Sequence, residues 1–393
     1  MLRRPPAVLV QRHGGGCIGR LRRYCQLHCY TAAPIARIAS STAPRSIPWT
    51  ANVSPAFPST RSLSVLSSLP PMLVPPVVLI GLTVTLWLYK CAMMVIFQNK
   101  IIYMPSMPPF SRQEKIETYE KICWPIVWEE QRIKSLDRVE IALCIGRNVA
   151  VTDEKEEAKV KGLEGQVVIL YFQGNGSSIP PRLPQLSAVL KALDERPYTL
   201  IAVSYRGFWT SRGRASQRGI ERDAVAALRW AGKTYPHPNT RLVLWGQSIG
   251  AGVATFLAAS HHQQHGCSRR SEAPALILET PFVSVRSMLL ALYPQRWLPY
   301  RYLGPFLRNW WDSEEALRSI SNPGSNGTGK RKVLVVSAEK DELVPSEQAD
   351  VIEKLCIEGG MDVSRTRVRG ALHTEATFRG DGRNAVVSFL KRL

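Results

Sequence analysis

From residue 166 to residue 338 the chain alternates short apolar runs with longer segments in which apolar residues recur every three or four positions. The apolar runs are "QVVILYF" (166–172), "TLIAVSY" (199–205), "RLVLWG" (241–246), "ALILE" (275–279) and "KVLVVSA" (332–338). Runs this short, bounded by polar and turn-forming residues, read as strands buried on both faces. "VEIALCIGRN" (139–148) has strand character too, and "RTRVRG" near the C-terminus reads as a further strand. Helical spacing marks "LPQLSAVLKAL", "GIERDAVAALRWAG" and the terminal "GRNAVVSFLKRL". Buried strands separated by amphipathic helices predict an α/β fold, with a mostly parallel central sheet covered by helices on both faces. Ligands bind beyond the carboxyl ends of the strands in such sheets. The loops that begin at Gln173, Arg206, Gln247, Thr280 and Glu339 are therefore expected to surround one site.

One apolar segment lies outside this alternation. "VPPVVLIGLTVTLWLYKCAMMVIFQNK" spans 74–100, and from Val77 to Phe97 its one charge is Lys90. Some 20 apolar residues in a helix reach about 30 Å, the hydrocarbon thickness of a bilayer. Residues 72–100 are thus expected to be a single-pass membrane anchor, with the Lys90 ammonium reaching for an interface. Arg61 lies before the segment and Lys100, Arg112 and Lys115 after it, which favours a cytoplasmic or matrix side for the C-terminal part of the chain. The remainder, 101–393, is the expected folded domain. A chain begun near Met107 is expected to fold as a soluble domain.

Charge changes the reading of the N-terminal part. The formal net charge is +20, yet no Asp or Glu occurs before Glu114, and residues 1–71 carry nine arginines. This basic, Ser-, Ala- and Pro-rich leader is either disordered or a mitochondrial type of targeting segment. An endomembrane such as the endoplasmic reticulum is the expected location, with the mitochondrial inner membrane as the alternative. Much of the excess charge sits in the leader, and no Arg/Lys block is interleaved with aromatics. No nucleic-acid partner is expected. The eight cysteines, at 17, 25, 29, 91, 123, 144, 267 and 356, show no paired metal-ligand spacing. No metal and no other cofactor is expected.

The candidate chemistry begins where "LVLWGQSIGAGVATFLAAS" turns from strand to helix. Gly246-Gln247-Ser248-Ile249-Gly250 has the G-x-S-x-G form of a nucleophile elbow, a turn so sharp that its flanking positions have no room for a Cβ. A serine hydroxyl needs a base to become a nucleophile. The chain order serine, acid, histidine is met by Asp341, directly after "KVLVVSA" in "EKDELVP", and by His373 in "GALHTEATF". Asp341 would set the tautomer of His373, and His373 would take and return the Ser248 proton. Glu279, at the end of "LILE", is the alternative acid; Glu339 and Glu342 adjoin Asp341. His261, His262 and His265 are expected in a polar surface loop after the helix, and His237 among prolines in solvent. For the oxyanion hole the expected backbone donors are Gln247 and, from the loop after "VVILYF", Asn175, with Gly176 as the alternative to Asn175. One such donor is worth roughly 3 kcal/mol where it has been removed in another serine hydrolase.

"YFQGNGSSIPPRLP", "SYRGFWTSRGRASQRGIERDAVAAL", "GQSIGAGVA", "LILETPF", "EKDELVP" and "LH" together resemble the membrane-anchored α/β-hydrolases of the fungal bud-emergence type, which are similar in turn to serine-aminopeptidase-like hydrolases. The resemblance covers about residues 95–393. It implies the α/β-hydrolase fold and a Ser–Asp–His hydrolase, with Ser248, Asp341 and His373 at the matching positions. Three departures stand out. Gln173 occupies the place of a histidine in the family's His-Gly-Asn, Phe208-Trp209 replaces Tyr-Gly, and Thr374-Glu375 replaces Asn-Asp.

Residues 281–320 separate "LILE" from the next strand and include "MLLALYPQRWLPYRYLGPFLRNWW". An insertion here can form a lid whose apolar side lines an acyl channel and whose arginines face lipid headgroups, or a helix pair that completes the core. The expected activity is cleavage of a carboxylic ester or thioester of a lipid or acyl group, with membrane lipid as the partner. A peptidase or amidase of the same fold is the first alternative. A non-catalytic membrane scaffold is the second.

Overall fold

All the strands expected from the apolar runs are present. The computed structural model describes residues 70–149, 166–193, 196–236, 239–265, 273–321 and 330–393. Three helices come first: α1 (Val74–Ile96), α2 (Gln98–Tyr103) and α3 (Glu120–Cys123). Next are β1 (Ile126–Lys134), β2 (Glu140–Asn148), β3 (Val167–Phe172), α4 (Leu183–Lys191) and β4 (Tyr198–Val203). The alternation continues through α5 (Gln217–Thr234), β5 (Arg241–Gln247), α6 (Ile249–His265) and β6 (Ala275–Glu279). It closes with α7 (Val285–Leu292), α8 (Ser313–Ser319), β7 (Lys332–Ala338), α9 (Ser346–Glu358), β8 (Asp362–Val368) and α10 (Gly380–Lys391).

The eight strands form one sheet in the order β1-β2-β4-β3-β5-β6-β7-β8. β3 to β8 are parallel, and β2 runs antiparallel to both β1 and β4. This is the α/β-hydrolase architecture, with an antiparallel pair at one edge. Successive side chains of a strand point to opposite faces, and both faces are apolar here. Val168, Leu170 and Phe172 of β3 join the core under α5, α6 and α9. Val167, Ile169 and Tyr171 join the core under α4 and α10. Burial on both faces explains why these strands read as continuous apolar runs.

β1 is the element that no apolar run announces. Its sequence, "IVWEEQRIK", buries three positions, because it is the edge strand and covers the sheet on one side. Helix α6 also runs further than expected. It includes His261, His262 and His265, so all three lie on the helix rather than in a loop after it. His237, the loop 150–165 and the leader 1–69 fall outside the described residues.

α1 is the one helix among the described residues long and apolar enough to cross a membrane, and none of its residues is buried. The chain after it belongs to the domain at once. Tyr103 is fully buried; its hydroxyl donates to Asn309 Oδ1 (2.9 Å) and accepts from the Trp311 indole (2.9 Å). A chain begun near Met107 would lack this buried residue, which counts against the expectation that such a chain folds. The 281–320 segment holds α7, two short 3-10 turns and α8, with irregular chain between them, and not a plain helix pair.

Candidate active site

Strand β5 ends at Gln247 and helix α6 starts at Ile249, which leaves Ser248 alone to make the turn. Its φ is +54°, in the left-handed region that side chains rarely adopt. The glycines are explained by contact. A Cβ on Gly246 would run into the carbonyl of Gly250, and a Cβ on Gly250 would run into the carbonyl of Phe172. The elbow is therefore interlocked with the end of β3. The Ser248 amide donates to the Glu279 carbonyl on β6 (2.8 Å), which fixes the turn from the other side.

Three of the expected residues come together. His373 Nε2 lies 2.9 Å from Ser248 Oγ. His373 Nδ1 lies 2.9 Å and 3.0 Å from the two carboxylate oxygens of Asp341. Asp341 sits in the turn after β7 and His373 in the loop after β8, so neighbouring strand ends carry acid and base. Asp341 Oδ1 also accepts from the amides of Leu343 (3.0 Å) and Val344 (2.8 Å), which orients the carboxylate. His373 is 2% exposed. Its ring is thus held between two partners, away from bulk water.

The acidic neighbours have other tasks. Glu342 accepts from the His373 amide (2.9 Å) and Glu339 from the Gly370 amide (2.8 Å), so both tie down the histidine loop. Glu279 does not meet the imidazole. Its carboxylate is buried and accepts from Thr377 Oγ1 (2.7 Å), the Thr377 amide (3.3 Å) and the Trp245 indole (3.1 Å). Burial pushes its pKa up, and those hydrogen bonds pull against the shift. Through backbone and side chain Glu279 links the serine turn to the histidine loop. Spacing singles out Glu279 and Glu342 as neighbours or rivals of the acid but not these roles, because each works through tertiary contact with a loop distant in sequence.

The oxyanion donors need two corrections. Successive backbone amides of a strand point to opposite sides, and that of Ser248 points to β6. The Gln247 amide therefore points to β3, inside the ladder, and is not a free donor. Ile249, the first residue of α6, carries an amide of the kind that has no intrahelical acceptor. Gly176 is also removed, because its amide donates to the Tyr103 carbonyl (2.8 Å). The Asn175 amide donates to no protein group among the described residues. The turn it belongs to lies over the serine: a Cβ on Gly174 would sit 3.5 Å from Ser248 Cβ.

The departures in the loops have local solutions. Gln173 is buried and its side-chain amide reaches the Gly176 carbonyl (3.4 Å), while its own carbonyl accepts from the Tyr205 hydroxyl (2.8 Å). Trp209 takes φ +39° where a glycine would be unstrained. Its indole donates to the Glu114 carbonyl (2.7 Å), and Arg112 grips its carbonyl (2.9 Å) and that of Ser211 (3.1 Å). Arg206, before this turn, is held by Asp223 (2.7 Å) and Asp137 (2.8 Å).

No family model matches the chain. It is 27% identical to the protein bem46 of Schizosaccharomyces pombe over 263 residues, 66% of this chain and 75% of that one. It is 28% identical to the α/β-hydrolase domain-containing protein WAV2 of Arabidopsis thaliana, over 65% of this chain and 74% of that one. The lysophosphatidylserine lipase ABHD12 of Danio rerio is 35% identical over 45% of this chain and 44% of its own. Among solved structures, an α/β-hydrolase from Vibrio vulnificus superposes with a TM-score of 0.54 at 17% identity, over 75% of this chain and 92% of that one. A fungal esterase structure from Rhizomucor miehei gives 0.50 at 17% identity, over 74% and 93%. The chain is an α/β-hydrolase by fold and a distant relative of the bem46 and ABHD12 proteins.

Proposed function

We propose that this protein is a membrane-anchored serine hydrolase that cleaves a carboxylic ester or thioester of an acyl group by way of an acyl-enzyme. The observation that carries the reading is the relay from Ser248 through His373 to Asp341, with 2.9 Å at each link. His373 Nε2 takes the proton of Ser248 Oγ as the oxygen bonds to the substrate carbonyl carbon. Asp341 keeps the other proton on Nδ1 and stabilises the imidazolium. The carbonyl oxygen becomes an oxyanion, met by the amides of Ile249 and Asn175 and by the positive end of α6. Collapse of this intermediate breaks the bond to the leaving oxygen or sulfur, which receives the proton from His373. Water repeats the sequence on the acyl-serine and restores the hydroxyl.

Two observations support an acyl substrate carried by lipid. α1 offers an exposed apolar helix of bilayer length, and the zebrafish relative is a lipase. The test is a fluorophosphonate probe applied to the full chain, with Ser248→Ala beside it. Labelling of the wild type alone supports the reading. A folded wild type that takes no label would sink it. Acyl esters, acyl thioesters and aminoacyl amides tested in parallel then separate an esterase from an amidase of the same fold.

A further inference from the structure

Helix α1 and the cap between β6 and β7 are in contact well above the point where the chain enters the domain. The rings of Trp87 and Trp297 lie 5.9 Å apart. Lys90 Nζ lies 4.3 Å from the ring centre of Tyr300, so the one charge of the apolar segment rests on an aromatic face. Further down, Arg308 donates to the carbonyls of Val95 (2.6 Å) and Ile96 (3.1 Å), the last turn of the helix. Gln98 Oε1 accepts from the amides of Arg308 (2.7 Å) and Asn309 (3.1 Å). The anchor and the cap are joined as one body.

The outward face of that cap is apolar and basic. Leu292, Trp297, Tyr302 and Phe306 are each more than half exposed. From Thr280 to Trp311 there are four arginines and no acid, and from Pro71 to Gln113 the charges are Lys90, Lys100 and Arg112 alone. Exposed aromatics among cations are what a surface facing anionic headgroups requires. This face is also continuous with α1, whose residues Pro75–Leu86 are exposed without interruption. A dozen helical residues cover about 18 Å, against about 30 Å of hydrocarbon. For α1 to cross, about 12 Å of membrane must be met by the stretch that carries the cap.

We propose that the outward face of the cap, with Trp297, Tyr302 and Phe306 as its apolar part and Arg296 and Arg301 as its cations, inserts into the headgroup and upper acyl region of an anionic phospholipid leaflet. This rests on the membrane anchoring proposed above. It places the cap in the same layer as a bilayer-borne ester. A soluble protein partner would have to accommodate the neighbouring bare helix as well, and a leaflet accepts both.

The full chain, reconstituted in vesicles of phosphatidylcholine and phosphatidylglycerol, is illuminated with a phospholipid that carries a diazirine high in its acyl chain, and adducts are mapped by mass spectrometry. Adducts are expected on α1 and on peptides covering 292–306. In the double variant Trp297→Glu, Phe306→Glu, the α1 adducts, thermal unfolding and turnover of a soluble ester should persist. The cap adducts and turnover of a vesicle-borne ester should each fall about tenfold or more. Adducts confined to α1, equal cap labelling in the variant, or crosslinks from the cap to a second copy of the chain would overturn the proposal. Adduct formation needs no catalysis. A chain that labels at the cap and hydrolyses nothing removes the hydrolase reading and keeps this one.

Discussion

Asp341→Asn tests the site most sharply, because the structure dictates which way the new amide must turn. Oδ1 of Asp341 accepts the amides of Leu343 and Val344 as well as facing His373 Nδ1. An asparagine keeps those two backbone bonds only if its oxygen takes the Oδ1 place. Its NH2 group then faces Nδ1 from the Oδ2 place, now 2.9 Å away. Nδ1 must accept, so the proton moves to Nε2, and an Nε2–H cannot take a proton from Ser248. The loss in kcat should be about 10⁴, as in a comparable triad, equivalent to about 5.5 kcal/mol of barrier. Folding should be nearly unchanged, since the turn keeps its acceptor. Asp341→Ala should lose similar activity and in addition about 1 kcal/mol of stability, chiefly from the Val344 amide, since the exposed Leu343 amide can turn to water. Turnover of a soluble ester and urea denaturation, run on both variants, give the two readings. An Asp341→Asn enzyme within about tenfold of wild type would refute the tautomer argument.

Three further outcomes are expected from contacts outside the triad. Glu279→Ala leaves the Thr377 amide and hydroxyl and the Trp245 indole without an acceptor, and should cost at least about 2 kcal/mol in chemical denaturation. Arg206 beside Asp137 holds that carboxyl well below its usual 3.8. Its stabilisation is therefore present above that value and lost as the pH falls below it. Asp137→Asn should be about 1–2 kcal/mol less stable than wild type at pH 6, and the gap should close in acid. A chain begun at Gln98 keeps Tyr103 and the Gln98–Asn309 bond (3.0 Å) and should fold; one begun at Met107 should fail limited proteolysis.

The buried strands and the order of Ser248, Asp341 and His373 are legible because each leaves a local mark: an apolar run, a pair of glycines, an acid just past a strand. β1 leaves none, since an edge strand with three buried positions carries the polarity of a surface. Gln247 reads as an oxyanion donor because adjacency to the serine is visible in sequence and the direction of an amide is not. The ladder decides that direction. The depth of Tyr103 is hidden for a similar reason: only Asn309 and Trp311, some 200 residues later, make it core. Lys90 looks like a charge obliged to reach water, and its aromatic partners lie in the cap.

The left-handed backbone of Ser248 has a consequence for any inactive form of the protein. A residue with a Cβ at φ +54° carries strain on the order of 1 kcal/mol that a glycine does not. Ser248→Ala keeps that strain and loses only the hydroxyl, so it should melt close to wild type. Ser248→Gly abolishes the nucleophile and relaxes the turn, and should be the more stable of the two dead variants by about 1 kcal/mol, less what the looser unfolded chain takes back. The melting difference between these two substitutions measures how much stability the fold gives up to hold its nucleophile out of a strand.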